Sequence, residues 1–569
     1  MPDSTMPGPL IVQSDKTLLL EVDHLLAEEA RHAIAPFAEL ERAPEHIHTY
    51  RLTNLGLWNA RAAGHTAAEV IETLTRFSRY PVPSALLVDL AGTMDRYGRL
   101  TLREDDGHGL ILESTDRAVM AEVLRSKRTS GLIDARLDDF AAAIHPAQRG
   151  AIKQALIKLG WPVDDQAGFV EGTAHPIALT ETAPPRGEGA STLPSAEPTD
   201  ARVPWTLREY QRQAAEAFWF GGSGVVVLPC GAGKTIVGAA AMALAQTTTL
   251  ILVTNTVAAR QWRDELLRFT TLNPDEIGEY SGATKEIRPI TIATYQVMTT
   301  RRGGAYTHLS LLDAQDWGLI VYDEVHLLPA PIFRMTANLQ SRRRLGLTAT
   351  LVREDGREDE VFTLIGPKRY DAPWRDIEAQ GYVAPAICTE VRLTLPENER
   401  LEYAVAEHEH QYRIAATTSG KNEVAERLIA RHVTDQVLVI GQYLDQLAEL
   451  SQHLDAPLIT GETPLNERQR LYDAFRVGEI SRLVVSKVAN FSIDLPEASV
   501  AIQVSGSFGS RQEEAQRLGR ILRPKADGRT AHFYTIVSRD TADQDFAANR
   551  QRFLAEQGYT YQIVDAEDI

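Results

Sequence analysis

Cysteine is nearly absent from this chain of 569 residues, which has only Cys230 and Cys388. Because Cys230 lies inside a glycine-rich loop, we expect no disulfide between them. Two thiols are also too few for a cysteine-ligated zinc or iron–sulfur site. Scarce cysteine is typical of proteins in a reducing compartment, so we expect a cytoplasmic protein.

Long apolar runs and excess positive charge are absent too. No stretch reaches the roughly 18 apolar residues of a membrane helix, and the opening MPDSTMPGPL lacks the basic and apolar segments of a secretory signal. The formal net charge of −18 at pH 7 argues against a general polyanion binder. Contact with a nucleic acid would need a local groove, and we interpret the arginine clusters at 301–302, 342–344 and 468–470 as solvated faces.

A polar segment at residues 181–200, rich in Pro, Gly, Ser and acidic residues, is the clearest boundary in the chain. We predict a flexible linker there. Upstream, apolar periodicity predicts helices near 57–63, 67–77 and 82–94 and a strand at 97–102. This pattern fits either a winged-helix-like domain (1–105) or a small helical packing domain without a ligand. A second small unit (106–180) includes a helix that ends at Gly160.

Downstream of the linker, β-branched apolar runs alternate with helical stretches, which indicates parallel sheets of an α/β fold. The predicted strands lie at 225–228, 249–253, 290–294, 319–322, 437–440, 483–485 and 500–504. One α/β domain cannot hold so many units. We therefore predict two parallel-sheet domains, at 201–375 and 376–569, preceded by the small α+β N-terminal domains.

The most informative stretch is LPCGAGKT at 228–235, between a predicted strand and a predicted helix. This context is typical of a phosphate-binding loop, although a chance glycine-rich turn is the alternative and Leu228 replaces the usual Gly or Ala. Glycines let successive N–H groups face one anion, and the helix adds its dipole. Lys234 would reach the β- and γ-phosphates and Thr235 would hold Mg²⁺. The other loop residues expected at the nucleotide are Pro229, Cys230, Gly231, Ala232 and Gly233.

The sequence WGLIVYDEVH ends another predicted strand with two acidic residues. Asp323 would hold Mg²⁺, directly or through water, and Glu324 would orient and deprotonate the attacking water. A solvated acidic turn is the alternative. Further along, Thr348 and Thr350 follow the run RRRLGL, and their hydroxyl groups can bond to His326 and relay the state of the nucleotide site.

Near the carboxyl end, QRLGRILR at 516–523 would place Gln516, Arg520 and Arg523 on one helix face. If this face points at the first parallel-sheet domain, the arginines stabilise charge on the γ-phosphoryl group in the transition state, an effect typically worth about 10³–10⁵ in rate. A basic surface helix without this role has the same pattern.

The phosphate loop, DEVH (a form of the DEAH box), Thr-Ala-Thr and QRLGR-x-x-R, in this order, resemble a superfamily 2 helicase. Further stretches narrow the resemblance to the XPB family of DNA helicases, and together they cover nearly all of 205–565. They are LREYQ (207–211), LPCGAGKT (228–235), RLGLTATLVREDGRED (344–359), LIGPKRY (364–370), SKVANFSIDLPEASVAIQVSG (486–506), QRLGRILRPK (516–525) and RQRFLAEQGY (550–559). Residues 50–102 resemble the family's N-terminal domain more loosely.

The resemblance implies two RecA-like motor domains with ATP and Mg²⁺ between them. It implies that Gln211 reads the adenine, that residues 397–425 are a thumb insertion gripping DNA, and that the 106–180 unit recognises damage. Asp494, implied in ATP–DNA coupling, is retained, although Ala-Asn-Phe at 489–491 replaces the family's usual Gly-Asp-Thr. The implied DNA-contacting or DNA-opening residues are Thr254, Thr294, Arg353, Glu354 and Asp355.

We therefore expect an ATP-dependent DNA helicase, both an ATP hydrolase and a DNA strand isomerase, whose 3′→5′ polarity and repair role are implied by the resemblance. We expect a nucleoid-associated monomer acting on tailed or forked duplex and on single strands. One alternative is a double-stranded DNA translocase that does not separate strands. Another is a nucleotide-controlled scaffold that recruits a nuclease. RNA as substrate is disfavoured by the resemblance alone.

Overall fold

The structure is a computed structural model that describes most of the chain. The described residues are 7–43, 46–183, 203–229, 232–302, 305–308, 311–312, 314–328, 339, 342–349, 358–371, 386–486, 498–506, 530–556 and 560–569.

A four-stranded antiparallel sheet with four helices forms the first N-terminal unit. Its strands, in the spatial order β1-β2-β4-β3, are β1 (Leu10–Val12), β2 (Thr17–Glu21), β3 (Glu39–Arg42) and β4 (Ile47–Arg51). The helices are α1 (Ala27–Ile34), α2 (Asn54–Ala62), α3 (Ala67–Phe77) and α4 (Ser84–Met94). The three predicted helices are confirmed as α2 to α4, and a reciprocal capping box between Thr66 and Glu69 starts α3. The sheet was not predicted.

The second N-terminal unit is a five-stranded sheet with two helices. Its strands, in the order β7-β8-β6-β5-β9, are β5 (Leu100–Asp105), β6 (Gly109–Ser114), β7 (Ala135–Arg136), β8 (Ala141–Ile144) and β9 (Val163–Asp165). The helices are α5 (Arg117–Arg125) and α6 (Arg149–Leu159), and Gly160, with a φ of 88°, ends α6 as predicted. Because β5 pairs with β6, the sheet crosses the boundary predicted at residue 105. The domain boundaries themselves stay predictions.

A seven-stranded parallel sheet follows, in the order β14-β15-β13-β18-β19-β12-β20. Its strands are β12 (Gly224–Val227), β13 (Thr249–Val253), β14 (Ile277–Tyr280), β15 (Ile290–Thr294), β18 (Leu319–Asp323), β19 (Arg343–Thr348) and β20 (Lys368–Asp371). Its helices are α7 (Glu209–Gly221), α8 (Lys234–Ala245), α9 (Thr256–Phe269), α10 (Tyr295–Thr299) and α11 (Glu358–Leu364). Two short antiparallel pairs join β10 (Thr182–Ala183) to β11 (Val203–Pro204) and β16 (Arg301–Arg302) to β17 (Ala305–Tyr306).

A second seven-stranded parallel sheet has the order β23-β24-β22-β25-β26-β21-β27. Its strands are β21 (Ala386–Leu393), β22 (Val437–Gly441), β23 (Leu458–Ile459), β24 (Arg482–Ser486), β25 (Val500–Gln503), β26 (Ala531–Ser538) and β27 (Thr560–Asp565). Its helices are α12 (Glu397–Val405), α13 (His408–Thr417), α14 (Ser419–Arg431), α15 (Leu444–His453), α16 (Leu465–Arg476) and α17 (Ala542–Glu556). The predicted α/β class with two parallel-sheet domains is confirmed. In the described part of the chain, no helix combines the length and apolarity of a membrane span.

The arginine run at 342–344 differs from its predicted role as a solvated face. Arg344 lies on β19 and is only 1% exposed, and its Nη1 donates to the carbonyl oxygen of Leu339 at 3.0 Å. The guanidinium of Arg343 lies over the ring of Trp219, 4.3 Å from its centre. The prediction is therefore wrong for Arg344, whose buried donors bond to main-chain oxygens within the first parallel-sheet domain.

Candidate nucleotide site

The site lies along one edge of the first parallel sheet. Strands β12, β13, β15, β18 and β19 all run in the same direction, so their carboxyl ends meet at that edge. Ligands of open α/β sheets bind outside this edge. The phosphate loop follows β12, Thr254 follows β13, Thr294 ends β15, Asp323 ends β18 and Thr348 ends β19. The topology thus gathers most of the residues predicted from separate motifs.

The described part of the phosphate loop has the expected strand–turn–helix context. Gly233 has a φ of 79°, in the left-handed region, and directly precedes α8, which begins at Lys234. A Cβ on Gly233 would lie 2.6 Å from Nε2 of Gln211, so glycine meets both a conformational and a steric requirement. Leu228, the departure from the general loop pattern, is fully buried in the core, which explains an apolar residue there.

Two side chains of α7 bind the main chain of this loop. The hydroxyl of Tyr210 and Nε2 of Gln211 donate to the carbonyl oxygen of Ala232 at 2.8 and 3.0 Å. The amide oxygen of Gln211 accepts from the backbone N–H of Arg208 at 3.1 Å. Gln211 therefore connects the start of α7 to the loop, and its role in reading adenine stays a prediction.

A buried ion pair joins the phosphate loop to the acidic pair. Lys234 Nζ lies 2.6 Å from Glu324 Oε1, and the two side chains are only 12% and 16% exposed. Glu324 follows β18 directly and adopts a φ of 49°, a left-handed conformation that is uncommon for a non-glycine residue. Motifs separated by 90 residues in the sequence are thus in direct contact.

His326 extends this network to the next strand. Its Nδ1 lies 3.6 Å from Glu324 Oε2 and 2.5 Å from the hydroxyl oxygen of Thr348, which is fully buried at the end of β19. The bond that we expected between His326 and Thr348 is therefore present. Its role in relaying the nucleotide state stays a prediction.

Asp323 is held by two aromatic residues that the sequence analysis did not identify. The indole Nε1 of Trp262, on α9, donates to Asp323 Oδ2 at 3.0 Å. The hydroxyl of Tyr295, on α10, donates to the main-chain oxygen of Asp323 at 2.8 Å. These residues lie 61 and 28 positions away in the chain, so no motif spacing links them. The only available signal was a tryptophan within the polar run RQWRDELLRF.

The pKa values of Asp323 and Glu324 are shifted in opposite directions. Burial, and then the neighbouring charge of Glu324, raises the pKa of Asp323 to about 6, against the opposite effects of Lys234 and Trp262. Burial alone would also raise the pKa of Glu324, but the charges of Lys234 and His326 outweigh it and hold that pKa below its ordinary value. Pairs whose environments separate their pKa values are typical of sites where two carboxyl groups have different tasks.

The donor set fits a magnesium ion bound together with a phosphate. Mg²⁺ prefers oxygen ligands and is usually held by one or two carboxylates plus substrate phosphates. The hydroxyl of Thr235, in the first turn of α8, and the carboxylate of Asp323 are such ligands. Among the described residues, no group of three or more His, Cys, Asp or Glu side chains forms a separate metal site.

The two threonines predicted to touch DNA lie at this edge but differ in exposure. Thr254 is partly exposed between the end of β13 and Asn255, the N-cap residue of α9. Thr294 is only 2% exposed, and its hydroxyl oxygen accepts from the backbone N–H of Val297 at 3.4 Å, which caps α10. A side-chain contact from Thr294 would require this cap to break, whereas its main chain remains at the edge.

Several predicted residues lie outside the described residues. In the nucleotide loop and the first domain they are Cys230, Gly231, Thr350, Arg353, Glu354 and Asp355; in the second domain they are Asp494, Gln516, Arg520 and Arg523. Their roles stay predictions. The predicted thumb insertion at 397–425 falls on helices α12, α13 and the start of α14.

Three family models match the chain. Residues 377–568 match the ERCC3/RAD25/XPB C-terminal helicase model, and residues 205–353 match the type III restriction enzyme res subunit model. Residues 10–138 match a model described as a helicase conserved C-terminal domain.

Similar proteins cover nearly the whole chain. A DNA 3′-5′ helicase XPB of Kineococcus radiotolerans is 68% identical over 99% of this chain and 97% of its own. The protein of the same name from Mycobacterium tuberculosis is 64% identical over 99% of this chain and 98% of its own. In Saccharomyces cerevisiae, the general transcription and DNA repair factor IIH helicase/translocase subunit XPB/SSL2 is 30% identical over 99% of this chain and 73% of its own. With this identity along its full length, and with the phosphate loop and DEVH acids joined at one sheet edge, the chain belongs to the XPB family of DNA helicases.

Proposed function

We propose that this protein is an ATP-dependent DNA helicase that moves 3′→5′ and acts in DNA repair. The observation that supports it best is the contact between Lys234 and Glu324, 2.6 Å apart at the carboxyl edge of the first sheet. It joins a phosphate-binding group to an acid that can activate water, as hydrolysis of a nucleoside triphosphate requires. The 3′-5′ polarity is that in the names of the bacterial relatives.

In the proposed reaction, Lys234 exchanges its partner. It leaves Glu324 for the β- and γ-phosphates of ATP, with the loop N–H groups and the α8 dipole on the same phosphates. Loss of the nearby cation then raises the proton affinity of Glu324, which makes it a better base for the attacking water. Thr235 and Asp323 would hold Mg²⁺, which when bound would neutralise charge on the phosphate oxygens. Because His326 contacts both Glu324 and Thr348, a movement of Glu324 would be transmitted through His326 to Thr348.

The second parallel-sheet domain supplies the opposite wall of the proposed site. Gln516, Arg520 and Arg523 face the γ-phosphate when the two domains close, and Asp494 couples this closure to DNA. ATP favours the closed form because only that form contacts the phosphate from both sides. Cycles of closing and opening then move two DNA-gripping surfaces past each other along one strand.

DNA contacts in this proposal are mainly with backbone phosphates. They come from Thr254, from the main chain at Thr294, from residues 353–355 at the point of strand opening, and from the thumb helices. Such binding is steeply salt-dependent and largely independent of sequence. The 106–180 unit would contribute recognition of damage. We further propose that the protein is a monomer, that it associates with the nucleoid and that it works with a nuclease partner.

A DNA-stimulated ATPase assay tests this function. We expect hydrolysis by the wild-type protein to rise when single-stranded DNA is added and to respond less to RNA. Arg520→Ala should reduce the stimulated rate by about 10³-fold or more, with ATP binding retained, because an arginine finger acts on the transition state. A wild-type protein without DNA stimulation would favour the scaffold alternative, and an unchanged rate in Arg520→Ala would remove the finger from the mechanism.

A second candidate is a double-stranded DNA translocase that does not separate strands. This candidate is supported by the name of the Saccharomyces cerevisiae relative, which describes that protein as a helicase/translocase subunit. The same nucleotide site serves both activities, so hydrolysis alone does not distinguish them. Release of a strand from a tailed duplex does.

A further inference from the structure

Trp262 is in direct contact with the residue that we assign to magnesium, yet no motif includes it. Its side chain is 1% exposed and its Nε1 donates to Asp323 Oδ2 at 3.0 Å. The ring also packs on α8, since a Cβ added to Gly238 would lie 2.4 Å from Trp262 Cη2. The indole is thus confined between the helix that begins with Lys234 and the end of β18.

An indole is a particular kind of partner for a carboxylate. It has one N–H donor and no acceptor, and its ring is too large to turn in a packed core. A serine or histidine at this place can rotate or exchange donor and acceptor roles, whereas a confined tryptophan imposes one orientation on the acceptor. Because Oδ2 of Asp323 accepts this bond, the plane of the carboxylate is tied to the position of α9.

We propose that Trp262 is a positioning residue for the ATPase reaction, whose indole N–H holds the Asp323 carboxylate in the orientation that receives the magnesium ion of the nucleotide. The proposal rests on the proposed function in assigning the ion to Asp323. Partners that orient metal-binding side chains in this way typically contribute about 10–100-fold to metal affinity or activity.

The matched control is another buried tryptophan of the same domain. Trp317 is fully buried, and its Nε1 donates to the main-chain oxygen of Leu311 at 3.0 Å. It precedes β18, at the opposite end of the strand from Asp323. Trp317→Phe therefore removes one buried indole hydrogen bond and the same side-chain volume as Trp262→Phe, but its bond is to a main-chain oxygen and not to the carboxylate.

The experiment measures ADP binding by calorimetry over a range of Mg²⁺ concentrations. We expect Trp262→Phe to weaken the Mg²⁺-dependent part of ADP affinity by about 10–100-fold, with metal-free ADP affinity unchanged, and Trp317→Phe to behave as wild type. A Trp262→Phe protein with the wild-type Mg²⁺ dependence would overturn the proposal. So would an equal loss of metal-free and metal-dependent binding, because that pattern indicates general damage to the fold.

Two features keep the test decisive. If Trp262→Phe does not fold, benzothienylalanine incorporated at position 262 replaces only the N–H by sulfur and retains the ring shape, with the same two expectations. In addition, ADP binding does not depend on hydrolysis. A wild-type protein that binds ADP with Mg²⁺ but shows no DNA-stimulated turnover would contradict the proposed function, whereas the Mg²⁺ dependence of ADP binding in Trp262→Phe would still decide the positioning role.

Discussion

At the scale of single residues, the ion pair of Lys234 and Glu324 has two consequences that can be separated. The pair is nearly buried, so removal of one partner leaves the other charge in a poorly solvated place. The same lysine is the group that we assign to the phosphates. Its loss should therefore affect folding stability and catalysis by different routes.

Lys234→Ala is expected to abolish DNA-stimulated ATP hydrolysis and to lower the free energy of unfolding by about 1–3 kcal/mol. The double variant Lys234→Ala with Glu324→Gln removes the uncompensated charge, so it should recover most of the stability and none of the activity. Urea unfolding and ATPase assays measure the two effects. Activity in either variant, or a double variant less stable than Lys234→Ala, would contradict this assignment.

The raised pKa of Asp323 predicts a pH-dependent contribution to stability. Its pKa is about 6 in the folded protein, against an ordinary value of 3.8. Between these values the folded chain holds a proton that the unfolded chain has lost, so the contribution favours folding at low pH and declines as pH rises from about 4 to about 6. The difference of about two pKa units corresponds to about 2–3 kcal/mol.

Asp323→Asn should remove this dependence. We expect the unfolding free energy of the wild type, relative to Asp323→Asn, to fall by about 2 kcal/mol between about pH 4.5 and about pH 7 in the absence of nucleotide. Asp275→Asn, at an exposed position, controls for the loss of a surface carboxylate. Parallel stability curves for the wild type and Asp323→Asn would show that the environment of Asp323 is not as described.

The charged residues of the candidate site were predicted from the sequence, but the aromatic residues that bind Asp323 were not. Lys234, Glu324 and His326 were predicted because their motifs state both residue type and place. Trp262 and Tyr295 were missed because an aromatic side chain on a helix after a buried strand is an ordinary core residue, and only the fold shows that its polar atom ends at Asp323. The burial of Arg344 was missed for a similar reason, since a run of arginines in sequence indicates solvent.

At the scale of elements, the packing of α8 against α9 determines the position of the Trp262 indole next to Asp323. These helices follow β12 and β13, and Gly238 on α8 allows Trp262 on α9 to approach. Helices can pack this closely only where a glycine leaves room for the side chain of the neighbouring helix. The distance between two helices thereby determines where the donor to Asp323 lies.

Gly238→Ala is therefore expected to destabilise the protein by about 1–3 kcal/mol through overpacking, and to weaken Mg²⁺-dependent ADP binding as Trp262→Phe does. Gly92→Ala is the matched control, because Gly92 lies on α4 with open space around an added Cβ. That change should stabilise the protein by roughly 0.5–1 kcal/mol. Thermal unfolding of both variants measures the contrast, and a Gly238→Ala protein as stable as Gly92→Ala would contradict the packing.

Elements were predicted well where their apolar pattern was long and unambiguous. The strands at 249–253 and 290–294 and the helix at 67–77 match the structure to the residue. The first N-terminal sheet was missed because its strands are three to five residues long, and short apolar runs do not distinguish strand from helix. The strand β19 was missed because it begins with two arginines.

At the scale of the whole molecule, the first N-terminal unit is attached to the edge of the motor sheet. The backbone N–H of Lys368, on edge strand β20, donates to Asn59 Oδ1 at 3.0 Å. Arg369 donates from Nη2 to the carbonyl oxygen of Gly221 at 2.8 Å and from Nη1 to that of Ala62 at 3.4 Å. The bond to Asn59 satisfies one backbone N–H of this edge strand. It also connects the N-terminal unit to the strand beside the phosphate-loop strand.

ATP-driven 3′→5′ strand separation by the whole molecule is tested most directly by measuring the release of a strand from a tailed duplex. Duplexes with either a 3′ or a 5′ single-stranded tail would be incubated with ATP and Mg²⁺, using the wild type and Lys234→Ala. We predict that the wild type releases the strand from the 3′-tailed duplex only and that Lys234→Ala releases neither. ATP turnover by the wild type without strand release from either substrate would contradict the claim and leave the translocase in its place.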